Sequence, residues 1–247
     1  MKMSKNRKEY INNLDVKKIY EPNEAIKILK EKSYVKFNET IDVCINLGID
    51  PSKTDQNVRG VTNLPNGTGK EVVVAVLTSE NKLNEAKESG ADITGSKDLI
   101  EKIENQSVSF DILISSPDMM PSLSKVAKIL GPKGLMPNPK LGTVTNDVSK
   151  AVKEAKAGQV KFKSDKSGII HAGIGKISFN DEDILENIKT LFSSIIKSKP
   201  DSVKGSFIKK VTIASTMGVG LTINQASLRW EFNWWSLDHH LSKTAGA

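Results

Sequence analysis

The chain has 247 residues, with 36 lysines and arginines against 29 aspartates and glutamates, and a formal net charge of +7. This length suits one large domain or two ordinary ones, each with a real hydrophobic core. The single cysteine, Cys44, excludes an internal disulfide and argues against a cysteine-rich metal site. No apolar run approaches the ~20 residues of a membrane-spanning helix, and the basic start of the chain lacks the apolar stretch of a signal peptide. We therefore expect a cytoplasmic protein with no membrane partner.

The basic excess lies at the two ends of the chain. Residues 1–66 carry a net charge of +3 and residues 159–247 a net charge of +4, whereas residues 67–158 hold 12 basic and 12 acidic side chains. Lysines that neutralise phosphates release condensed counterions, so two basic flanks suit a polyanion. A soluble protein from a lysine-rich proteome would carry the same charge, and charge alone does not separate the two interpretations.

The first flank predicts an arm, a helix and a strand. Residues 1–20 are charged and weakly periodic. A helix is predicted from Pro22, which suits a first turn, to about Lys32. Residues 36–49 alternate between apolar and polar side chains, as expected of a half-buried strand. On this pattern Phe37 is equally compatible with the core and with an exposed position.

The middle of the chain predicts alternating strands and helices. Residues 71–77 and 110–115 are continuous apolar runs, typical of strands that are covered on both faces. Helices are predicted around residues 82–89, 96–103, 122–129 and 149–157. The alternation favours a Rossmann-like α/β unit. In the second flank we expect a hairpin of residues 160–162 and 169–172, a helix over 180–197 and a strand over 207–215.

Residues 129–144, ILGPKGLMPNPKLGTV, hold three prolines and three glycines but also six apolar side chains. Proline fixes φ and removes a backbone donor, so regular helix or sheet is not expected here. The apolar residues are unusual for a solvated linker. The pattern predicts an ordered loop that is pinned by buried side chains.

Enzymatic and cofactor motifs are missing from the sequence. Residues 66–70, NGTGK, lack the first glycine of a phosphate loop at Leu64, and Glu71 follows the lysine where a serine or threonine is needed. There is no GxGxxG, no catalytic triad pattern, and no histidine at metal-ligand spacing. We predict no cofactor and no catalytic activity.

Six segments together resemble one protein family. Besides residues 129–144 they are FNETIDVCINLGIDPSKTDQNVRG (37–60), LPNGTGK (64–70), FDILISSPDMM (110–120), DKSGIIHAGIGKISF (165–179) and STMGVG (215–220). Their order and spacing resemble the L-one family of large-subunit ribosomal proteins, the protein of the mobile stalk beside the tRNA exit site. The resemblance spans roughly residues 5 to 227.

The resemblance implies two domains. Residues 1–66 and 159–227 would form a discontinuous α+β domain that binds RNA, and residues 67–158 an inserted Rossmann-like α/β domain. Residues 228–247 match nothing in the family, although they hold all three tryptophans. We expect this tail to be disordered, because long terminal segments usually are.

The resemblance also assigns the RNA-binding residues. An aromatic ring beside a cation can stack on a base while the cation meets phosphate, and hydroxyls can bond ribose. The expected direct contacts are Lys36, Phe37, Thr40, Lys53, Asp165, Lys166, His171, Ser215, Thr216, Met217 and Gly218. We expect Asp165, Lys166 and His171 to support one surface with the others. Lys133 and Lys140 are expected to make secondary RNA contacts.

The function that the resemblance implies is structural. The protein would bind rRNA of the large subunit, assist release of deacylated tRNA from the exit site, and repress its own mRNA by recognising a mimic of the rRNA site. It would be a monomer when free. A non-ribosomal RNA-binding relative and a nucleotide-binding α/β enzyme are the alternatives, and the missing phosphate loop counts against the enzyme.

Overall fold

The computed structural model describes residues 14–15, 18–79, 82–105, 107–203 and 205–228. Ten strands occur in the described residues: β1 Ile19–Tyr20, β2 Thr40–Leu47, β3 Arg59–Asn63, β4 Val74–Leu77, β5 Ile93–Gly95, β6 Ile112–Ser115, β7 Gln159–Lys163, β8 Ile169–Lys176, β9 Ile208–Ser215 and β10 Leu221–Ile223. The helices are α1 Pro22–Glu31, α2 Leu83–Glu88, α3 Lys97–Glu104, α4 Met120–Leu123, α5 Ala127–Leu130, α6 Val148–Lys156 and α7 Asp181–Lys197. Short 3₁₀ turns occupy Thr54–Gln56, Pro117–Met119, Ser124–Val126, Pro139–Leu141 and Ala226–Leu228.

Both flanks of the chain contribute to one five-stranded sheet, in the order β1-β10-β9-β2-β8. Strand β2 lies between β8 and β9 and is antiparallel to both. The predicted alternation of β2 is confirmed, because every second side chain from Ile41 to Leu47 is buried. The strand begins only at Thr40, however, so Phe37 precedes it.

Strands β7 and β8 do not form the expected hairpin. Strand β7 pairs with β3, which was not predicted from the sequence, and β8 pairs with β2. Only one antiparallel bridge, between Ser164 and Ile170, joins the two neighbouring segments. Each strand gains more pairing from a remote partner than from its neighbour in sequence.

Residues 74–115 form a three-stranded parallel sheet in the order β5-β4-β6. The apolar runs of β4 and β6 are fully buried, as predicted, because helices cover both faces. Side chains of α3, α4 and α5 fill one face, and those of α2 and α6 fill the other. The strand that the sequence did not predict, β5, is three residues long and only partly buried.

Three hydrophobic cores follow the same division of the chain. One core contains only residues from the two flanks, between Tyr20 and Leu64 and between Val160 and Leu228. Helices α1 and α7 contribute its apolar stripes, and the acidic side chains in the first turn of α7 suit the positive end of the helix dipole. The buried residues of the second core lie between Ala75 and Leu130. Those of the third lie between Val74 and Ala155.

The expected helix over 122–129 is broken into α4, a 3₁₀ turn and α5. The loop that follows carries little regular structure, as its prolines predict, apart from one 3₁₀ turn and a bridge from Val144 to Ser115. Leu130 is buried, and Leu135 and Met136 pack on the same core. The tail after Leu228 and most of the expected arm lie outside the described residues.

Candidate RNA interface

The two flanks are joined where β2 begins and β9 ends. Ile41 is opposite Ser215 in the register of these antiparallel strands. The amide of Thr216 donates to the carbonyl of Thr40 at 3.1 Å, and the amide of Thr40 donates to Oγ1 of Thr216 at 3.1 Å. The Thr216 hydroxyl in turn donates to the Thr40 carbonyl at 3.3 Å. The Thr216 side chain therefore joins the ends of β2 and β9 while remaining exposed to solvent.

A buried carboxylate fixes the turn that follows Thr216. Glu39 is only 2% exposed. One of its oxygens accepts from the amide of Met217 at 2.8 Å, and the other accepts from the hydroxyl of Ser33 at 2.8 Å. Its carbonyl also accepts from the amide of Ile177. Glu39 thus ties three segments that are remote in sequence, and it leaves the Met217 side chain facing outward.

The exposed side chains at this place combine apolar surface with positive charge. Phe37 is 54% exposed and Met217 is 50% exposed, so Phe37 is not a core residue. Lys36, which directly precedes Phe37 in sequence, is also exposed. We call the group of Lys36, Phe37, Thr40, Thr216 and Met217 the Thr216 end of the sheet. Its composition suits a base or sugar held by apolar contact with a cation for the phosphate.

Two residues near the Thr216 end extend its polar surface. The ammonium of Lys176 donates to Oγ1 of Thr40 at 2.8 Å. Asp42, half-buried on the same outer face of β2, has a raised pKa because burial penalises its charged form, an effect that Lys176 and His171 oppose. A carboxylate in this position can accept a hydrogen bond from a ribose hydroxyl.

Two of the expected contact residues support the turn from inside. Ser215 was expected to contact RNA directly, but it is only 5% exposed. A Cβ on Gly218 would lie 2.4 Å from the Ser215 hydroxyl oxygen, and the Gly218 amide donates to the Ser215 carbonyl. A side chain at 218 would therefore displace the buried Ser215 hydroxyl, so the glycine supports the packing of the turn.

Three other expected contacts lie at the far end of β2. We call Lys53, Asp165 and Lys166 the Asp165 end. The amide of Leu47 donates to the carbonyl of Gly168, which places the loop of Asp165 and Lys166 beside the last residue of β2. The loop with Lys53 is held there as well, through paired bonds between Val58 and Ser164. Seven residue steps along β2, roughly 23 Å, separate the two ends.

The Asp165 end satisfies its own polar groups. One oxygen of Asp165 accepts from the amides of Ser167 and Ile169, both at 2.8 Å. The Ile169 bond is the main cause of the lowered pKa of Asp165. Lys53 lies 4.0 Å from Asp50, and both are well exposed. Asp165 and Lys166 therefore lie at the opposite end of β2 from Thr216.

His171 lies between the two ends, on β8 opposite Cys44. Its Nδ1 is 3.2 Å from the Cys44 sulfur, and its Nε2 is 3.9 Å from a carboxylate oxygen of Asp165. Burial, followed by the charge of Asp42, raises the pKa of the Cys44 thiol. Asp42, Cys44, His171 and Asp165 thus form a polar strip along the outer face of the sheet that connects its two ends.

The two expected secondary contacts lie outside this sheet. Lys133 is exposed in the turn after α5. The side chain of Lys140 lies outside the described part of the structure. Both belong to the part of the chain whose cores are separate from that of the flanks.

Three residues of this site, Glu39, Asp42 and Lys176, were not predicted from the sequence. Asp42 carried a signal, since it is a polar residue on the outward side of the same alternating strand as Thr40. Glu39 looked like an ordinary surface acid, and nothing in the sequence places Lys176 next to Thr40, 136 residues away. Only pairing between remote strands reveals these two.

The described residues contain no group of three or more histidine, cysteine, aspartate or glutamate side chains that could hold a metal ion. Among the helices that the structure describes, none is long and apolar enough to cross a membrane.

Comparison with known proteins identifies relatives over most of the chain. Residues 29–219 match the model of the ribosomal protein L1p/L10e family. The large ribosomal subunit protein uL1 of Pseudoalteromonas atlantica is 52% identical over 227 residues, which cover 92% of this chain and 97% of the relative. The uL1 protein of Haemophilus influenzae is 51% identical, covering 92% and 99%. That of Orientia tsutsugamushi is 52% identical over 224 residues, covering 91% and 90%.

Proposed function

The chain belongs to the ribosomal protein L1p/L10e family, and from this premise we propose that it binds the rRNA of the large-subunit stalk near the tRNA exit site. Its role is that of a structural constituent of the large ribosomal subunit, as the names of its relatives state for them. It acts in the cytoplasm, without a cofactor and without catalysing a reaction.

The observation that carries this proposal is the construction of the Thr216 end. The flanks of the chain meet there through hydrogen bonds that fix Thr40, Thr216 and Met217, while apolar and cationic side chains remain exposed around them. Rigid placement matters because loss of conformational freedom opposes binding, and a surface that is already ordered pays less of this cost. A surface of this kind suits recognition of a defined RNA shape.

Each residue has a definite role in the proposed contact. The Thr216 hydroxyl oxygen accepts one bond from Thr40 and keeps a lone pair for a ribose hydroxyl. Asp42 accepts from a second ribose hydroxyl, and Lys36 meets a phosphate. Phe37 and Met217 cover the face of a sugar or base. Ser215 and Gly218 do not contact the RNA directly but support the turn that carries Thr216 and Met217.

The Asp165 end makes a weaker and less specific contact. Lys53 and Lys166 approach phosphates further along the RNA, and His171 and the polar strip follow the backbone between the two ends. An RNA element that follows the strip would span roughly 23 Å. Lys133 and Lys140 contribute secondary contacts from the other part of the protein.

Two further roles are proposed for the protein: repression of its own mRNA, through the Thr216 end, and assistance in tRNA release. An mRNA segment that mimics the rRNA site would occupy the Thr216 end in its place, so the free monomer represses translation of its own mRNA. Assembled on the stalk, the protein assists release of deacylated tRNA from the exit site. We also propose that residues 1–66 and 159–227 form the RNA-binding domain, and residues 67–158 the inserted domain.

Crosslinking of the protein to RNA in cells, followed by sequencing, tests these assignments together. We expect reads from stalk rRNA and from the leader of its own mRNA, with crosslinks concentrated at the Thr216 end. Sedimentation in salt-washed lysate separates the alternative: a non-ribosomal RNA-binding relative would not travel with the large subunit. Crosslinks confined to Lys133 and its neighbours would move the site to the other part of the chain.

A further inference from the structure

Exposed apolar side chains are concentrated beside the Thr216 end. Among the described residues, six large hydrophobic side chains are exposed: Ile19, Tyr34, Phe37, Val73, Ile196 and Met217. Three of the six, Tyr34, Phe37 and Met217, lie in the segments that meet at this one place. Phe37 and Met217 are accounted for by the proposed RNA contact, but Tyr34, which is 43% exposed, is not.

The position of Tyr34 is fixed by its neighbours. Its hydroxyl donates to the carbonyl of Met217 across a long 3.4 Å. The preceding residue, Ser33, donates to buried Glu39, which also accepts from the Met217 amide. The segment before β2 is therefore joined to the turn after β9 by two bonds, one to the amide of Met217 and one to its carbonyl. The ring is thereby held at the surface, where it is 43% exposed.

We propose that Tyr34 is a stacking platform for one unpaired RNA base, next to the contacts of Phe37 and Met217. We call these three side chains the Tyr34 shelf. This inference rests on the proposed RNA-binding function and extends the site by a residue that neither the sequence motifs nor the family resemblance includes. An aromatic face stacks on any unpaired base. The polar hydroxyl at the ring edge makes an exposed tyrosine compatible with water when RNA is absent.

Charge around the shelf favours a nucleic acid over an apolar protein surface. Lys36 is exposed between Tyr34 and Phe37 in sequence and makes no ion pair among the described residues. Glu39, three residues after Lys36, is buried, and each of its carboxylate oxygens accepts a hydrogen bond. A base on the shelf brings its own phosphates to this uncompensated cation, whereas a protein partner would have to supply an acidic residue.

Two substitutions at one position separate stacking from positioning. The full chain is titrated with a stalk rRNA fragment, and the dissociation constant is compared for Tyr34→Phe and Tyr34→Ala. Stacking predicts that Tyr34→Phe binds within about twofold of the parent, because the hydroxyl bond is long and exposed. It predicts that Tyr34→Ala loses about 5- to 150-fold, the range found when a stacked base loses its aromatic partner.

A fluorescent base makes the readout specific. 2-Aminopurine is placed at each unpaired purine position of the fragment in turn. We expect one position to be quenched by the parent and by Tyr34→Phe, and to brighten with Tyr34→Ala and Tyr34→Leu. Leucine keeps apolar bulk without an aromatic face, so it distinguishes stacking from general apolar contact.

Control variants keep the outcomes distinct. Ile196→Ala removes an exposed apolar side chain from α7 and should leave binding unchanged. If Thr216→Val weakens binding and Tyr34→Ala does not, the shelf is overturned while the proposed function stands. If Tyr34→Phe loses as much as Tyr34→Ala, the hydroxyl positions Met217 and stacking is overturned. If none of these variants binds differently from the parent, the proposed RNA site itself is wrong.

Discussion

The two ends of strand β2 use the same sheet in opposite ways. At the Thr216 end, Thr40 and Thr216 exchange hydrogen bonds between the two flanks, and apolar side chains remain exposed. At the Asp165 end, the carboxylate of Asp165 is occupied by amides of its own loop, and the lysines project into solvent. The first end offers shape and hydrogen bonds, and the second offers charge.

This difference shows what each end can distinguish. Hydroxyl and apolar contacts depend on the position of a sugar or base, so their loss changes affinity at every salt concentration. Exposed lysines act through counterion release, so their contribution falls as salt rises. We therefore expect specificity to come from the Thr216 end and a salt-dependent increment from the Asp165 end.

The largest expected effect is that of Thr216→Val. The substitution keeps the volume but removes the hydroxyl, which leaves the Thr40 amide and an RNA group without a partner. Unpaired buried polar groups cost about 1–3 kcal/mol, or about 5- to 150-fold in affinity for the rRNA fragment. The slope of affinity against salt should not change. Thr222→Val, on β10 of the same sheet, is the matched control, and parent-like binding by Thr216→Val at all salt concentrations would contradict the proposed contact.

A smaller loss is expected when both lysines of the Asp165 end are removed. Lys53→Ala with Lys166→Ala should weaken binding by about tenfold or less at low salt, because exposed charge pairs contribute little individually. The salt slope should fall by about 1.5, corresponding to two phosphate contacts. Lys87→Ala with Lys102→Ala makes the same charge change on α2 and α3 and controls for net charge. An unchanged salt slope in the first pair would remove the Asp165 end from the interface.

The two ends should also respond oppositely to pH. The raised pKa of Asp42 favours its protonated form in the folded state, so its contribution to stability is present at low pH and lost as pH rises through the folded pKa. The lowered pKa of Asp165 gives a contribution that is present at neutral pH and lost as pH falls.

Isosteric variants test these signs through thermal unfolding between pH 3 and 7. At pH 7, Asp42→Asn should raise the melting temperature and Asp165→Asn should lower it, each by a few degrees at most. Both differences should shrink towards acidic pH, where the parent carboxylates are protonated. A lower melting temperature for Asp42→Asn at pH 7 would mean that attraction to Lys176 outweighs burial.

The smallest effect is expected from deletion of the middle of the chain. Asn63 pairs with Gln159 in the β3–β7 ribbon, and the Leu64 amide donates to the Gly158 carbonyl, so the two cut points lie side by side. A variant that lacks residues 67–158, joined by a short linker, should keep rRNA affinity within about tenfold of the parent. A folded variant that loses more than about a hundredfold, ~2.7 kcal/mol, would show that the middle segment carries a main contact.

Local pattern was sufficient for the longer elements of the fold. The alternation of residues 40–47 determined which side chains of β2 are buried, and the apolar runs at β4 and β6 predicted strands with both faces covered. The stripes of α1 and α7 were predicted within one or two residues. Because these elements bury one face or both, the spacing of their apolar residues in the sequence shows the period of the helix or strand.

The short strands were not predictable in the same way. Strands β1, β5 and β10 have two or three residues each, too few for periodicity to show. Strand β3 has five, but it pairs with β7 almost a hundred residues later. Such segments become strands because a partner edge is available, and only the tertiary structure supplies that edge.

The candidate site shows the same limit. The sequence by itself determined the family signature, the residue types at the site, and the outward side of β2. The tertiary structure decided that Phe37 is exposed and Ser215 buried, and that Glu39 fixes Met217. It also decided that Lys166 and Thr216 lie at opposite ends of β2, a strand roughly 23 Å long. The physical reason is that local patterns report burial of each segment against the core, whereas distances between segments depend on strand register and on hydrogen bonds between residues far apart in the chain.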